Sequence, residues 1–210
     1  MTHQALELDV GVRRMSNKPG LIIATEEEAN ILYRSTLRRF PEWRISGMGK
    51  VKALTVAAEL IHHYRCDSIT LFGFCGGLAG LVEGDVVEPN IYIEGDNDGR
   101  IIKYNYPNII KMTDLVTDKL LDKSIQCPMV TADQFMLENK YDFKYSQMAC
   151  DMEAYAIAYM CHDLLLPFRT IKVVSDIVGW KKNERAYRGA PKKLDQVMNH
   201  ALDEVSLCLT

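Results

Sequence analysis

Three acidic residues occupy positions where carboxyl groups commonly take part in acid–base chemistry. Asp176 follows Ser175 at the end of the apolar stretch VVSD. Glu28 is the last of three glutamates after the apolar run GLIIAT, and Glu153 comes just before the apolar stretch AYAIAYMC. A carboxyl group in a dry site can keep its proton and act as a general acid, whereas one at a helix N-terminus is stabilised as an anion. The ordinary alternative is that Asp176 forms a turn or caps a helix, and that the glutamates are first-turn helix residues.

The sequence around these residues alternates between predicted strands and predicted helices. Short apolar runs bounded by Gly or Pro predict strands, and apolar residues at helical spacing predict helices. Strands are predicted at 20–25, 68–74, 84–95 (interrupted at Pro89), 127–136 and 167–176, and helices at 26–37, 49–64, 112–123, 152–166 and 191–209. This order is typical of an α/β sandwich with a mixed, mostly buried sheet. Because open α/β sheets bind ligands at the carboxyl ends of their strands, we expect the three acids to converge there.

Length and composition indicate one domain whose partner is a small molecule or a second copy of the chain. The chain has 210 residues, of which 48% are hydrophobic, and this is enough for one sizeable core. Residues 1–19 are predicted to be an N-terminal extension and residues 20–210 the folded domain. The net charge is −3, with acidic and basic residues interspersed, so neither nucleic acid nor a membrane surface is expected as a partner.

Cysteine and glycine patterns narrow the class of site. The six cysteines lie far apart, without a C-x-x-C pair or a histidine at metal-ligand spacing. We therefore expect reduced cysteines in a cytoplasmic protein, with no metal and no other cofactor. The stretch GFCGGLAG does not have the spacing of a P-loop or of a dinucleotide-binding loop, but Gly76 and Gly77 allow backbone amides to approach a ligand closely.

Several stretches, in order along the chain, carry a resemblance to one known family. They are IIATEEEA (22–29), SGMGKVKA (46–53), GFCGGLAGLVEGDVV (73–87), TADQFM (131–136), and DMEAYAIAYMCHDLLLPF (151–168) leading to VVSDIVG (173–179). These stretches resemble the purine nucleoside phosphorylase and uridine phosphorylase superfamily, and within it the methylthioadenosine/S-adenosylhomocysteine nucleosidases. The specific feature is DMEA followed, a helix and a strand later, by SD.

The resemblance implies a three-layer αβα sandwich with a central mixed β-sheet that cleaves or transfers the N-glycosidic bond of a nucleoside. It implies that Asp176 is the general acid at the purine N7, that Glu28 orients and deprotonates the attacking water, and that Glu153 binds the ribose hydroxyls. Cleavage builds positive charge on the ribose and negative charge on the departing base. The site must therefore place negative charge near the ribose and a proton donor near the base. Asp176 can serve the base only if it is protonated, and the dry end of a buried strand favours its neutral form.

The other implied site residues are expected to contact the substrate. Met152 is expected beneath the sugar and base, Phe135 is expected to stack on the purine, and the backbone of Met136 is expected to read the purine edge. The predicted substrate-binding set also contains Cys75, Gly76, Ser175 and Lys172. For Phe135 and Met152 the ordinary alternative is core packing.

The choice between water and phosphate as nucleophile depends on a few positions. The family's phosphorylases carry an Arg before the glycine cluster and a Ser after its first Gly, where this chain has Leu71 and Phe74. Phe74 offers no hydrogen-bond donor, so the resemblance favours a hydrolase. Lys172 replaces an Arg that the nucleosidases generally carry, and strand alternation predicts it on one face with Val174 and Asp176. Because a lysine attracts anions, a phosphate-dependent phosphorylase stays open as an alternative, and the other alternative for Lys172 is a strand-edge lysine.

Further expectations concern the pocket and the assembly. The segments RRFPEWRI (38–45) and 91–112 are shorter than in the family, which indicates a more open pocket on the 5′ side of the ribose. Asp151 replaces the family's commoner Glu.

A second alternative is a binding module of the same fold that recognises a nucleoside without cleaving it. By analogy with the family we expect a homodimer.

Overall fold

The computed structural model describes residues 18–97, 108–112, 121, 123–141, 144–179 and 183–207. Within these ranges the strands are β1 (Pro19–Ile23), β2 (Glu42–Ile45), β3 (Ser68–Ala79), β4 (Val86–Val87), β5 (Ile91–Glu94), β6 (Ile109–Lys111), β7 (Met129–Thr131), β8 (Met148–Asp151) and β9 (Phe168–Ile177). The helices are α1 (Glu26–Ile31), α2 (Arg34–Leu37), α3 (Lys50–His62), α4 (Ala154–Asp163), α5 (Asn183–Lys193) and α6 (Asp195–Leu207). Most of the predicted N-terminal extension and of the helix predicted at 112–123 lies outside the described residues.

The strands form one mixed sheet with an apolar layer on each face. The strand order is β2-β1-β3-β8-β7-β5-β6, and β9 pairs with both β3 and β4. The pairs β1–β3 and β3–β9 are parallel, whereas β3–β8 and β5–β6 are antiparallel. In β1, Leu21 and Ile23 pack with α1, α2 and α6, while Ile22 packs on the opposite face with α3 and α4. The predicted three-layer αβα sandwich with a central mixed sheet is therefore confirmed.

Strand β3 is longer than predicted and continues through the glycine cluster. The prediction ended it at Phe74, but the strand extends to Ala79. Gly76 pairs with Cys150 of β8 on one side and with Asp176 of β9 on the other. A Cβ on Gly76 would lie only 2.9 Å from the Sγ atom of Cys150, so the neighbouring strands need a glycine here. The glycine cluster is thus a strand segment that pairs with β8 along one edge and with β9 along the other.

An irregularity in β9 corrects one prediction about side-chain direction. The register against β3 shifts between Cys75 and Gly76, so that Val174 pairs with Cys75 but Asp176 pairs with Gly76. A Cβ on Gly76 would lie 3.6 Å from Oδ2 of Asp176, whereas a Cβ on the next residue, Gly77, would contact Val174. Because successive strand residues face opposite sides, Val174 and Asp176 point to opposite faces of the sheet. The predicted common face of β9 is wrong because a bulge interrupts the alternation.

The helices depart from the prediction at two places. The helix predicted at 26–37 is broken after Ile31, and Asn199 of α6 fills the break. The side chain of Asn199 accepts the N–H of Tyr33 at 2.7 Å and donates to the carbonyl oxygen of Ile31 at 2.8 Å. Helix α5 has no counterpart among the predicted elements, since its sequence is strongly polar. In the described part of the chain, no helix combines the length and the apolar character needed to cross a bilayer.

Candidate active site

A cavity of about 550 Å³ lies near the carboxyl ends of β1, β8 and β9 and against the middle of β3. Its walls include nine of the ten predicted site residues: Glu28, Cys75, Gly76, Phe135, Met136, Met152, Glu153, Ser175 and Asp176. The three predicted acids are almost completely buried, with 2–3% of their surface exposed. Residues that are remote along the chain therefore meet in one cavity, as the sheet topology predicts.

Glu28 is fixed by hydrogen bonds from two different elements. Helix α1 begins with a capping box, in which the N–H and the hydroxyl of Thr25 donate to Oε2 of Glu28 at 2.8 and 3.0 Å. The other carboxylate oxygen, Oε1, accepts the N–H of Phe74 in β3 at 2.6 Å. A Cβ on Gly73 would lie 2.5 Å from this oxygen, so the approach depends on a glycine. Glu28 is thus a first-turn residue, as in the ordinary alternative, but β3 adds a contact that helix capping does not require.

Lys172 lies at the centre of a buried group of carboxylates. Its ammonium group is 3.4 Å from Oε2 of Glu153 and 3.6 Å from Oδ2 of Asp151. Burial alone would lower the pKa of Lys172, but the charges of Glu153, Asp151 and Glu28 outweigh it and raise the pKa above its ordinary value. Burial also raises the pKa of Glu28, against the opposing charge of Lys172. The shared cation allows these carboxylates to occupy one buried volume.

Glu153 stands at the N-cap position of α4 and connects three elements. Its Oε1 accepts the N–H of Gly49, at the start of α3, at 3.0 Å, while its Oε2 faces Lys172 of β9. The dipole of α4 and the lysine both stabilise the carboxylate as an anion. An anionic group held in this way can accept hydrogen bonds from hydroxyls and stabilise nearby positive charge.

Asp151 also lines the cavity, although the sequence interpretation did not assign it a function. Its Oδ1 accepts the hydroxyl of Thr131 at 2.7 Å, and its Oδ2 accepts the N–H of Ala154 at 3.0 Å. Burial raises the pKa of Asp151 to about 6, with Lys172 acting in the opposite direction and Glu153 in the same one. A carboxylate with these partners links the end of β8 to the first turn of α4.

Asp176 lies in surroundings that differ from those of the other two acids. The hydroxyl oxygen of Ser175 is 2.7 Å from Oδ1 of Asp176 and 3.0 Å from the carbonyl oxygen of Cys75. A hydroxyl has one proton to donate and a carbonyl oxygen only accepts, so when Ser175 donates to Cys75 its oxygen can accept a hydrogen bond from a protonated Asp176. Burial is the main cause that raises the pKa of the adjacent Cys150 thiol, which lies against the same carboxyl group. The geometry accommodates a protonated carboxyl group at Asp176.

Aromatic and thioether side chains form the apolar wall of the cavity. Phe135 is 37% exposed, so plain core packing does not describe it. Its ring lies 5.5 Å from that of Tyr187 in α5, and Met152 lines the same space. Burial raises the pKa of Tyr187 to about 12, and the charges of Glu28 and Glu153 add to the effect because the phenol faces them. Tyr187 is missed by the sequence interpretation because the polar sequence of α5 gives no pattern that marks it.

A second and more open cavity of about 1560 Å³ adjoins the first. Both cavities share walls formed by Glu28, Phe74 and Met152, and the larger one continues to Arg188 and Pro191 of α5. Across the described residues, no three His, Cys, Asp or Glu side chains are grouped so that they could hold a metal ion. The site therefore offers carboxylates, amides and apolar surface to a ligand.

The structure places the residues used in two predictions: that Lys172 binds substrate, and that Leu71 and Phe74 disfavour phosphate. Lys172 is predicted to bind substrate, but it is fully buried behind Glu153 and is not one of the residues in the cavity wall. Its described ion-pair partners are the carboxylates of Asp151 and Glu153, so in this structure Lys172 supports Glu153, and its contact with a substrate stays a prediction. At the two positions where phosphorylases carry an Arg and a Ser, Leu71 is fully buried and Phe74 contributes to the cavity wall.

Comparison with known proteins agrees with this architecture. The family model of the phosphorylase superfamily matches residues 43–209. A 5′-methylthioadenosine/S-adenosylhomocysteine nucleosidase from Geobacillus sp. (strain WCH70) is 29% identical over 180 residues, which cover 76% of each chain.

Solved structures of similar proteins extend the comparison to the fold. The nucleosidase of Neisseria meningitidis, solved in complex with methylthio-immucillin-A, has a TM-score of 0.70 and 22% identity, covering 90% of this chain and 98% of its own. Futalosine hydrolase of Helicobacter pylori has a TM-score of 0.72 and 13% identity, covering 91% of this chain and 97% of its own. At these identities the two structures show a common fold.

Proposed function

The chain belongs to the phosphorylase superfamily, and we propose that it hydrolyses the N-glycosidic bond of a purine nucleoside of the 5′-methylthioadenosine/S-adenosylhomocysteine type. The observation that carries this proposal is the presence of two kinds of buried acid in one cavity. Glu28 and Glu153 surround a lysine, whereas Asp176 hydrogen-bonds with a serine hydroxyl. A reaction that makes one half of its substrate positive and the other negative needs both kinds.

Asp176 acts on the base half of the substrate. As the bond breaks, negative charge develops on the purine, and a proton delivered to N7 makes the base a better leaving group. Ser175 holds Asp176 in place and can exchange its own hydrogen bond between Asp176 and the carbonyl oxygen of Cys75. Phe135 stacks on the purine, and the backbone of Met136 hydrogen-bonds with its edge, with Gly76 leaving room for the base.

Glu28 and Glu153 act on the ribose and on the nucleophile. Glu28 orients a water molecule and takes its proton, and the raised pKa of this buried carboxylate makes it a stronger base than an exposed glutamate. Glu153 binds the ribose hydroxyls, and its negative charge stabilises the positive charge that develops on the oxocarbenium-like sugar. Lys172 pairs with Glu153 at 3.4 Å and orients its carboxylate.

The charge of this region favours water over phosphate as the nucleophile. Around Lys172 lie the carboxylates of Glu28, Asp151 and Glu153, and its ammonium is fully buried. A phosphate dianion entering here would be repelled by the acids, and Phe74 offers no side-chain donor to hold it. The phosphate-dependent alternative is therefore disfavoured by the electrostatics as well as by sequence.

The open cavity supports a nucleoside with an extended 5′ substituent. It begins at Glu28, Phe74 and Met152, which also line the inner cavity, and it continues towards α5. A methylthio group or a longer thioether would extend into this space from the sugar. The Geobacillus nucleosidase carries both such compounds in its name.

The test is base release from a panel of nucleosides, measured with and without phosphate. The panel contains 5′-methylthioadenosine, S-adenosylhomocysteine, adenosine and inosine. We expect adenine release from the first two without phosphate and no stimulation when phosphate is added. Release that strictly requires phosphate would replace the hydrolase with a phosphorylase. Binding of 5′-methylthioadenosine without turnover of any nucleoside would instead assign the chain to the non-catalytic alternative.

We also propose that the enzyme is a cytoplasmic homodimer. Five described cysteines are free thiols, which fits a reducing compartment. Val51 and Leu54 of α3 are 76% and 37% exposed, and apolar side chains on an outer helix fit a surface that a second copy covers. Sedimentation equilibrium tests this proposal, and a monomer at micromolar concentration contradicts it.

A further inference from the structure

A cluster of charges beside the active site surrounds Lys50, the first residue of α3. Its ammonium group is 2.5 Å from Asp96, 3.5 Å from Glu94 and 3.7 Å from Asp133. We call these four residues the Lys50 clasp. Its members come from α3, from the end of β5 and from the segment that follows β7. The clasp therefore ties together three parts of the chain that are distant in sequence.

Backbone amides at the start of α3 extend the clasp to the active site. The N–H of Lys50 donates to Oδ1 of Asp133 at 2.7 Å, and the N–H of the preceding residue, Gly49, donates to Oε1 of Glu153 at 3.0 Å. Gly49 has a φ of +102°, which a glycine adopts without strain, and a Cβ there would lie 3.3 Å from Asp133. Any movement of the Lys50 backbone therefore moves a donor that holds Glu153.

Asp133 connects the same clasp to the wall predicted to bind the base. Its N–H donates to Oδ2 of Asp96 at 2.7 Å, so it is held through both backbone and side chain. Two residues later comes Phe135, which lines the cavity. The geometry of the purine-binding segment and that of the ribose-binding carboxylate are thus set by one group of contacts.

The pKa shifts of Lys50 and Asp96 widen the pH range over which these two residues form an ion pair. Burial would lower the pKa of Lys50, but hydrogen bonding with Asp96 and the charges of Asp96, Asp133 and Glu94 raise it. Burial would raise the pKa of Asp96, but the N–H of Asp133 and the ammonium of Lys50 lower it. Single exposed ion pairs add little to stability, so a network that also binds backbone amides is better explained by positioning.

We propose that Lys50 is a positioning residue that holds the N–H of Gly49 on Glu153 and the segment 131–136 against the start of α3. This inference rests on the proposed function of Glu153 as the ribose-binding carboxylate. Lys50 itself does not touch the substrate. It acts through Gly49 and Asp133, and its loss would loosen the sugar and base sides of the cavity together.

The test compares Lys50→Met with a matched loss of another lysine ion pair. Lys193 pairs with Glu83 away from the cavity wall and is mostly exposed, so Lys193→Met is the control. For Lys50→Met we expect kcat/KM for 5′-methylthioadenosine to fall about 10- to 100-fold, because a small misplacement of the groups that bind a substrate causes a loss of this size. Discrimination against the 2′,3′-dideoxy analogue should fall as well, because Glu153 is displaced. Lys50→Arg should restore part of both losses.

Two measurements keep the outcome independent of turnover and of folding. Hydrogen exchange of the Gly49 and Lys50 amides should quicken in Lys50→Met and stay unchanged in Lys193→Met. Asp96→Asn retains Lys50 but weakens the clasp, so it should shift exchange and kcat/KM in the same direction by less. If both clasp variants match the control in exchange and in kinetics, the inference is overturned, as it is if they lose only stability. If the wild type releases no base, the proposed function fails while the exchange result still decides on the clasp.

Discussion

A buried lysine explains how several carboxylates share a small volume of this protein. Lys172 is fully buried, within 3.4 Å of Glu153 and 3.6 Å of Asp151, and its charge also acts on Glu28. An isolated carboxylate in such surroundings would take up a proton rather than remain charged. The positive charge of Lys172 is therefore needed for this group of buried carboxylates to be accommodated.

Replacing this lysine should expose the repulsion that it normally compensates. For Lys172→Met we expect the free energy of unfolding to fall by about 3–5 kcal/mol at neutral pH, which is typical when one partner of a buried ion pair is removed. The loss should be smaller near pH 5, where carboxylates left without a cation take up protons. Urea unfolding at both pH values, with Lys193→Met as the control, measures this. A loss below about 1 kcal/mol at neutral pH would show that Lys172 is not the compensating charge.

The pKa of Asp151 predicts a pH dependence of stability with a definite sign. Burial raises it from 3.8 to about 6, so the folded state binds this proton more tightly than the unfolded chain does. The stabilisation from that proton is complete below about pH 4 and is lost as the pH rises through about 6. The change amounts to roughly 3 kcal/mol over this window.

A single substitution isolates this contribution. Asn at position 151 cannot titrate, so the stability of the wild type relative to Asp151→Asn should decline between about pH 4 and 6 and then level off. Chemical unfolding across this range gives the difference directly. Asp163→Asn, which makes the same change at an exposed position of α4, is the matched control. A difference for Asp151→Asn that is flat, or that rises with pH, would contradict the raised pKa.

The functional residues were predicted mainly through the family resemblance of the stretches that contain them, because their types and positions alone fit ordinary turns and helix starts equally well. Asp176, Glu28 and Glu153 follow or precede apolar segments, so their burial could be anticipated. Asp151 was visible as a change from Glu to Asp, but its hydrogen bonds with Thr131 and with α4 depend on tertiary structure. Tyr187 lies in a polar helix, and its approach to Phe135 has no sequence signal.

At the scale of elements, the junction between α1 and α2 shows how a distant helix can define a local structure. Asn199 is 3% exposed and hydrogen-bonds with the backbones of Ile31 and Tyr33. The periodicity of 26–37 predicted one helix, because nothing local announces that α6 supplies an amide to the break. The same limit applies to β9, whose bulge near its carboxyl end breaks the alternation on which the prediction relied.

Removing the amide of Asn199 should destabilise the protein measurably. Asn199→Ala leaves a backbone N–H and a carbonyl oxygen without this partner, so we expect a loss of about 1–3 kcal/mol in the free energy of unfolding. Thermal or urea unfolding measures it. Asn30→Ala, at an exposed position of α1, is the matched control and should stay within about 0.5 kcal/mol of the wild type. Equal effects of the two substitutions would contradict the capping role of Asn199.

At the scale of the whole molecule, the mixed sheet assembles a site from residues 28, 153 and 176. Strand β3 is the common neighbour: it pairs with β1, β8 and β9, and its Phe74 N–H binds Glu28 directly. The alternation of strands and helices was sufficient to predict this class of fold. The extension of β3 through the glycines was not predictable, because glycine clusters usually indicate loops and the strand pairing comes from β8 and β9.

The central claim is that Asp176 supplies a proton to the purine while water attacks the ribose. The most direct measurement is kcat/KM for adenine release from 5′-methylthioadenosine by Asp176→Asn, compared with the wild type and with the exposed Asp163→Asn control. We expect a loss of about 10²- to 10⁴-fold in Asp176→Asn, with a thermal midpoint near that of the wild type, because Asn keeps the shape but carries no acidic proton. Activity of Asp176→Asn equal to that of the control would contradict the account.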